Sequence, residues 1–160
     1  MTGQIMSHYT IIKKLGDGGI GEVYLAEDDA LDHKAALKFL PLHYASDAEL
    51  NKRFRREAKA AAALNHPNII TVYEVSEYEG RAFIAMEYVE GESLREKISG
   101  GPLPVESAVD IVAQICEGLT AAHQAGIIHR DFKMENIIIE RPLMQMAPLS
   151  TSIMLAGQEK

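Results

Sequence analysis

Short stretches in which apolar and polar residues alternate fill the first half of the chain. Residues 9–15, 21–27 and 34–40 are predicted to be strands, because β-branched and aromatic residues favour strands and turn-forming residues separate these stretches. Residues 69–74 and 82–86 are predicted to be two further strands, joined by a polar turn. The pattern therefore indicates that this half of the chain is mostly β.

A helical pattern interrupts the alternation once and then replaces it. Ser46 and Glu49 have the spacing of a capping box, which predicts the start of a helix. Apolar residues at i, i+3 and i+4 spacing predict a long amphipathic helix over residues 105–125, and residues 137–139 form a last apolar strand. The fold class is therefore α+β, with a mostly β first part that contains one helix and a helical second part that begins near Gly91.

Composition narrows the classes of protein. The 160 residues have a formal net charge of −7 and no basic stripe, which argues against binding to nucleic acid. Cys116 is the single cysteine, so no internal disulfide can form and a cytoplasmic location is expected; its helical apolar setting predicts a buried side chain. No apolar run reaches the roughly 20 residues that span a bilayer, so no membrane segment is expected in this chain.

Three glycines point to a nucleotide. Gly16, Gly18 and Gly21 fit G-x-G-x-x-G, which occurs in the dinucleotide fingerprint and in the glycine-rich hairpin that covers ATP phosphates. A dinucleotide fingerprint needs a helix that begins at the third glycine. Residues 22–26 are instead predicted to be a strand, which favours the hairpin and argues against an NAD-dependent oxidoreductase.

Three further motifs follow in order. Residues 35–38 (AALK) stand where kinases have V-A-I-K, Glu57 lies in the predicted helix, and residues 129–136 (HRDFKMEN) fit H-R-D-x-K-x-x-N. With the glycines, these motifs resemble the bacterial-type (eukaryotic-like) serine/threonine protein kinases. The resemblance implies a protein-kinase-like fold, with an antiparallel β N-lobe and one long helix at residues 9–90 and the first part of a helical C-lobe at residues 91–139.

The resemblance also implies a role for each site residue. Lys38 would hold the α and β phosphates of ATP and be held in turn by Glu57, while Asp131 would orient the substrate hydroxyl. Lys133 would neutralise the γ-phosphate, and Asn136 would bind Mg²⁺ through oxygen. The remaining ATP-binding positions implied by the resemblance are Leu15, Gly16, Gly18, Gly21, Val23, Ala36, Met86, Glu87, Val89 and Ile138.

The tail at residues 140–160 does not fit the resemblance. The kinases continue with a hairpin that carries D-F-G, whose aspartate binds metal, whereas Asp131 is the last aspartate of this chain. Met144-Gln145-Met146-Ala147 is encoded ATG-CAR-ATG-GCN, and a frame begun at the last base of the first ATG reads Ala, Asp or Asn, then Gly. Our hypothesis is that a frameshift near Pro142 produced an out-of-frame tail.

The sequence therefore predicts an ATP-dependent serine/threonine protein kinase, a transferase that moves the γ-phosphoryl group to a protein hydroxyl, with a catalytic domain that stops before D-F-G. We expect an uncovered helical face at Ile111, Ile115 and Leu119, low stability, and weak or absent turnover. The alternative is an ATP-binding pseudokinase or scaffolding fragment without catalysis. The protein substrate is unknown.

Overall fold

The computed structural model describes residues 2–18, 21–129, 132–140 and 151–153. The described residues form two compact units, one from residues 2–63 and 71–88 and the other from residues 64–70 and the described part of 89–153. The strands are β1 (Ile5–Met6), β2 (Tyr9–Gly18), β3 (Gly21–Asp28), β4 (His33–Phe39), β5 (Val72–Tyr78), β6 (Arg81–Glu87), β7 (Gly91–Ser93), β8 (Ile137–Glu140) and β9 (Thr151–Ile153). The helices are α1 (Ala48–Ala62), α2 (Leu94–Ser99) and α3 (Val105–Gln124), and 3₁₀ turns occur at Leu42–Tyr44 and Met134–Asn136.

The first unit is an antiparallel sheet with one long helix, which confirms the predicted fold class. The six strands lie in the order β1-β2-β3-β4-β6-β5, and every neighbouring pair is antiparallel. The fifth strand begins at Val72 rather than at residue 69, because the Ile69 N–H donates to the His66 carbonyl at 3.0 Å and closes a turn before the strand. Ile69 and Ile70 are nevertheless buried, so their hydrophobicity reflects packing outside a strand.

Aromatic side chains fill the core on one side of this sheet. Tyr9, Phe39 and Phe83 are fully buried, and the ring of Phe83 lies 5.4 Å from that of Phe39 and 6.3 Å, edge-on, from that of Tyr9. Aromatic pairs at these separations stabilise the fold by more than the burial of their apolar surface alone would. Tyr24 is a further aromatic member, and smaller apolar residues of β1, β2, β3, β4 and β6 complete the cluster, namely Met6, Ile11, Ala26, Ala35, Leu37 and Ala85.

The helix caps differ from the predicted ones. Asp47, and not Ser46, caps α1, because Asp47 has extended backbone angles and its Oδ1 accepts hydrogen bonds from Glu49 and Leu50 N–H groups, both at 3.0 Å. A complete capping box occurs instead at α2. There the Ser93 hydroxyl accepts from the Glu96 N–H, and the Glu96 carboxylate accepts from the Ser93 N–H.

The long helix of the second unit buries the face that was expected to be uncovered. Ile111 and Ile115 are buried and Leu119 is half-buried, so that expectation was wrong. Val105 and Val109 are exposed instead, because these positions lie on another side of the 3.6-residue turn. The expectation for Cys116 was also wrong, since its side chain is exposed.

The second unit also contains a small sheet in the order β7-β8-β9, again antiparallel. Its third strand, Thr151–Ile153, lies in the tail and pairs with Ile137–Ile139, although no sequence pattern predicted a strand there. Among the described residues, none of the helices is both long and apolar enough to cross a membrane.

Gly91, which begins β7, provides a test of this small sheet. A Cβ at Gly91 would overlap the Ile139 carbonyl oxygen and lie 2.9 Å from the carbonyl carbon, and this backbone is held in a ladder. We therefore expect Gly91→Ala to lower the free energy of unfolding by about 2 kcal/mol or more, measured by denaturant titration. Gly100→Ala is the control, because its Cβ would meet only the Lys97 carbonyl oxygen at 3.6 Å. Equal stability of the two variants would contradict the close packing of β7 on β8.

Candidate active site

The three glycines lie at the end of the β2–β3 hairpin. The ladder pairs Gly16 with Val23 and runs on to Gly18 opposite Gly21, while residues 19 and 20 lie outside the described residues. The residues after Gly21 continue as a strand, which confirms the hairpin and not a helix opening. A Cβ at Gly16 would meet no atom within 4 Å, so open space adjoins the backbone at this point.

One face of the sheet beside this hairpin carries an apolar surface and a lysine. The register places Val23 opposite Lys38 and Ala36 opposite Met86 on neighbouring strands. Because side chains alternate along a strand, these four residues share one face. Lys38 is only 4% exposed, a degree of burial that lysine almost never has unless a negative group pairs with it.

Strand β6 leads from this face to its last residue, Glu87. The Glu87 N–H donates to the Thr71 carbonyl at 2.8 Å, and the Glu87 carboxylate accepts from the Thr71 N–H at 3.1 Å. These two bonds fix the backbone at Glu87 and turn its side chain toward Thr71. Of the other predicted ATP contacts, Leu15 is exposed on the hairpin and Val89 is half-buried in the second unit.

The predicted acidic partner of the lysine lies on α1. The Glu57 carboxylate accepts a hydrogen bond from Arg53 Nε, one helical turn earlier, at 2.9 Å. This contact holds Glu57 along the helix. The pairing of Glu57 with Lys38 stays a prediction.

The segment that follows α3 holds the remaining predicted residues. His129 is buried and its ring meets Phe132 edge-on at 5.5 Å, while Arg130 and the predicted catalytic Asp131 lie outside the described residues. The Asn136 N–H donates to the Lys133 carbonyl at 3.0 Å, which closes the turn before β8.

The predicted site residues in and around this turn differ in how far their side chains are exposed to solvent. The Asn136 side chain is buried, and Lys133 and Ile138 are half-buried. Within the described parts of the chain, no three His, Cys, Asp or Glu side chains are grouped so that they could hold a metal ion.

A charged cluster beside the hairpin was not predicted from the sequence. The Glu22 carboxylate accepts hydrogen bonds from Arg81 Nη1 at 2.7 Å, Lys14 Nζ at 2.9 Å and the Tyr24 hydroxyl at 3.1 Å. The hydrogen bond from Lys14, followed by that from Arg81, lowers the pKa of Glu22 to about 2. Glu22 and Arg81 are 59 residues apart, so no local spacing reveals the contact.

Three features are those of a protein kinase fold: the β2–β3 hairpin, the sheet face that carries Lys38, and the segment between α3 and β8. Residues 9–149 match the protein kinase domain family, and the chain therefore belongs to this family. The match extends past residue 139, the end of the predicted partial C-lobe, into the tail.

Bacterial protein kinases are among the relatives of the chain. The chain is 46% identical over 138 residues to the serine/threonine-protein kinase PrkC of Bacillus subtilis, covering 86% of this chain and 21% of that protein. It is 46% identical over 140 residues to PknB of Mycobacterium leprae, covering 84% of this chain and 22% of that protein. The solved PknI kinase domain of Mycobacterium tuberculosis matches the structure with a TM-score of 0.84 and 31% identity, over 100% of this chain and 64% of that one. The chain thus spans about a fifth of the length of these curated relatives.

The pKa of Glu22 gives a prediction for stability against pH. The folded-state pKa of about 2 is below the ordinary 4.5, so the stabilisation is complete above pH 4.5 and is lost as the pH falls toward 2. Glu22→Gln should lower the free energy of unfolding by about 1–2 kcal/mol at pH 7, and the difference from wild type should shrink below pH 4.5.

Denaturant titrations at several pH values measure this difference. Glu77→Gln is the control, because Glu77 pairs with Arg55 at the surface and such pairs contribute about 0–1 kcal/mol. A Glu22→Gln effect that is constant from pH 7 to pH 2 would contradict the ionic origin of the stabilisation.

Proposed function

We propose that this chain binds ATP and supplies the nucleotide-binding and catalytic-loop residues of a serine/threonine protein kinase, which transfers the γ-phosphoryl group of ATP to a protein hydroxyl. The observation that carries the proposal is the glycine hairpin whose strand β3 pairs directly with the strand that bears the buried Lys38. The naming of its bacterial relatives as serine/threonine kinases supports the same reaction.

The residues of the first unit fit a nucleotide. Val23, Ala36 and Met86 offer an apolar face for a flat base, and the backbone of Glu87 lies at the end of the same face. Lys38 adds a positive charge on that face for phosphate oxygens, and the open space at Gly16 leaves room for close approach. The ligand would bring the transferable phosphoryl group, while the protein would position and neutralise it.

The second unit supplies the remaining roles. Asp131 would accept a hydrogen bond from the substrate hydroxyl and orient it, and Lys133 would balance negative charge at the γ-phosphate. The side-chain oxygen of Asn136, held at the turn before β8, suits Mg²⁺, which prefers oxygen ligands. Glu57 would orient Lys38 from α1.

We further propose that these 160 residues alone turn over weakly or not at all. The chain has no aspartate after Asp131, so its last 29 residues offer no D-F-G carboxylate for metal. This observation also favours the second candidate, an ATP-binding pseudokinase or scaffolding fragment. A frameshift near Pro142 would account for the tail. The DNA sequence across the Pro142 codon tests this hypothesis. If no other reading frame downstream encodes kinase sequence, the frameshift is contradicted.

The single cysteine supports a cytoplasmic location, which stays a prediction.

Nucleotide binding is tested with Lys38. We expect the wild-type chain to bind ATP, and Lys38→Met to weaken that binding at least about tenfold, since a charge-assisted contact to phosphate is lost. Calorimetric titration at matched protein concentration measures the affinity. Lys34→Met is the control, because Lys34 lies on the same strand but is exposed. Equal affinity of the two variants would count against Lys38 as a phosphate contact.

Catalysis is tested separately. With radiolabelled ATP, Mg²⁺ and a generic acceptor such as casein, we expect transfer far slower than the roughly 1–100 per second of active kinases. Binding of ATP without transfer supports the incomplete kinase or pseudokinase. Transfer at an ordinary kinase rate, abolished by Asp131→Asn, would show that the 160 residues are catalytically complete and would refute the proposed inactivity.

A further inference from the structure

The charged cluster at the hairpin lies on the face of the sheet opposite the one proposed to bind the nucleotide. We call it the Glu22 clamp and define it as Lys14, Glu22, Tyr24 and Arg81. Glu22 and Tyr24 flank Val23 in β3, so their side chains point to the side of the sheet opposite Val23. The clamp therefore touches the hairpin without occupying the face that the nucleotide would use.

Arg81 anchors the clamp to the sheet. Its Nε donates to the Leu40 carbonyl at 2.6 Å, and its guanidinium carbon lies 4.9 Å from the centre of the Phe39 ring. The side chain is buried against Phe39, which is itself in the aromatic core. A guanidinium held by a carbonyl, a ring and a carboxylate has little freedom to move.

The clamp joins four elements at the base of the glycine hairpin. Lys14 belongs to β2 and Glu22 to β3, Arg81 begins β6, and the carbonyl that Arg81 binds follows β4. Glu22 itself directly follows Gly21 and pairs with Asp17, so it is the first long side chain behind the glycines. Its carboxylate is where these contacts converge.

We propose that Glu22 is a positioning residue for the triphosphate: it ties the base of the hairpin to Arg81 so that the glycine tip is held over the phosphates. This inference rests on the proposed function and assigns a residue to the same site. Glycine has the greatest backbone freedom to lose, so a hairpin with four glycines is ordered only at an entropic penalty. If the first residue of β3 after the glycines is already fixed by Arg81, that entropic penalty is smaller when the ligand binds.

The proposal predicts selectivity among ligands. The glycines at the tip of the hairpin would contact only phosphates, whereas the adenine ring would lie against Val23, Ala36 and Met86. Loss of the clamp should therefore weaken binding of ATP and leave binding of adenosine, which has no phosphate, nearly unchanged. A general loss of folded structure would weaken both ligands alike.

The experiment measures dissociation constants of ATP and adenosine by calorimetry for the 160-residue chain and its variants. Glu22→Gln should weaken ATP about fivefold to tenfold and adenosine less than about twofold, since it removes a carboxylate bound by two cations. Tyr24→Phe removes one neutral donor and should weaken ATP about twofold to threefold, again with adenosine unchanged. Glu77→Gln, a surface ion-pair variant of the same sheet, should change neither.

Each alternative result has a meaning. An unchanged ratio of ATP to adenosine affinity in Glu22→Gln overturns the positioning role while the nucleotide site stands. If Glu22→Gln does not fold, Tyr24→Phe decides, and an unchanged ratio in that variant overturns the role as well. A wild-type chain that binds neither ligand overturns the proposed function and with it this inference.

Discussion

The burial of one positive charge within an antiparallel sheet is the constraint on which the candidate site depends. Lys38 is the second-last residue of β4, opposite Val23 on one neighbouring strand and Ile84 on the other, and almost none of it reaches water. An ammonium group in such a place is unfavourable unless negative groups compensate it. The glycine hairpin lies on the neighbouring strands, so the buried charge and the glycines belong to the same part of the sheet.

The sheet can hold this charge because its two faces bury different kinds of side chain. The face with Phe39 and Phe83 buries aromatic rings and supplies hydrophobic stabilisation. The other face carries Lys38 and the small side chain of Ala36, and both are buried. Strand alternation makes the division automatic, since adjacent residues of β4 point in opposite directions.

The sequence predicts what depends on local pattern and misses what depends on distant contacts. The hairpin at Gly16 and the helix α3 follow from periodicity, and both are present. The α1 cap moved from Ser46 to Asp47, because the two neighbours compete for the same N–H groups and only geometry decides. The exposed side chain of Cys116 needed knowledge of which helical face is covered, and the contact of Arg81 with Glu22 joins strands far apart in the chain.

The small sheet of the second unit shows that backbone pairing and metal binding have different requirements. Its middle strand β8 follows directly after Asn136, and the tail residues Thr151–Ile153 pair with it through main-chain hydrogen bonds. Such bonds do not depend on which side chains the strand carries, so a tail without an aspartate can still complete the sheet. Binding a metal is different, because it needs a carboxylate at a defined position. The presence of the small sheet therefore carries no information about metal binding, so nucleotide binding and turnover are two independent questions for this protein.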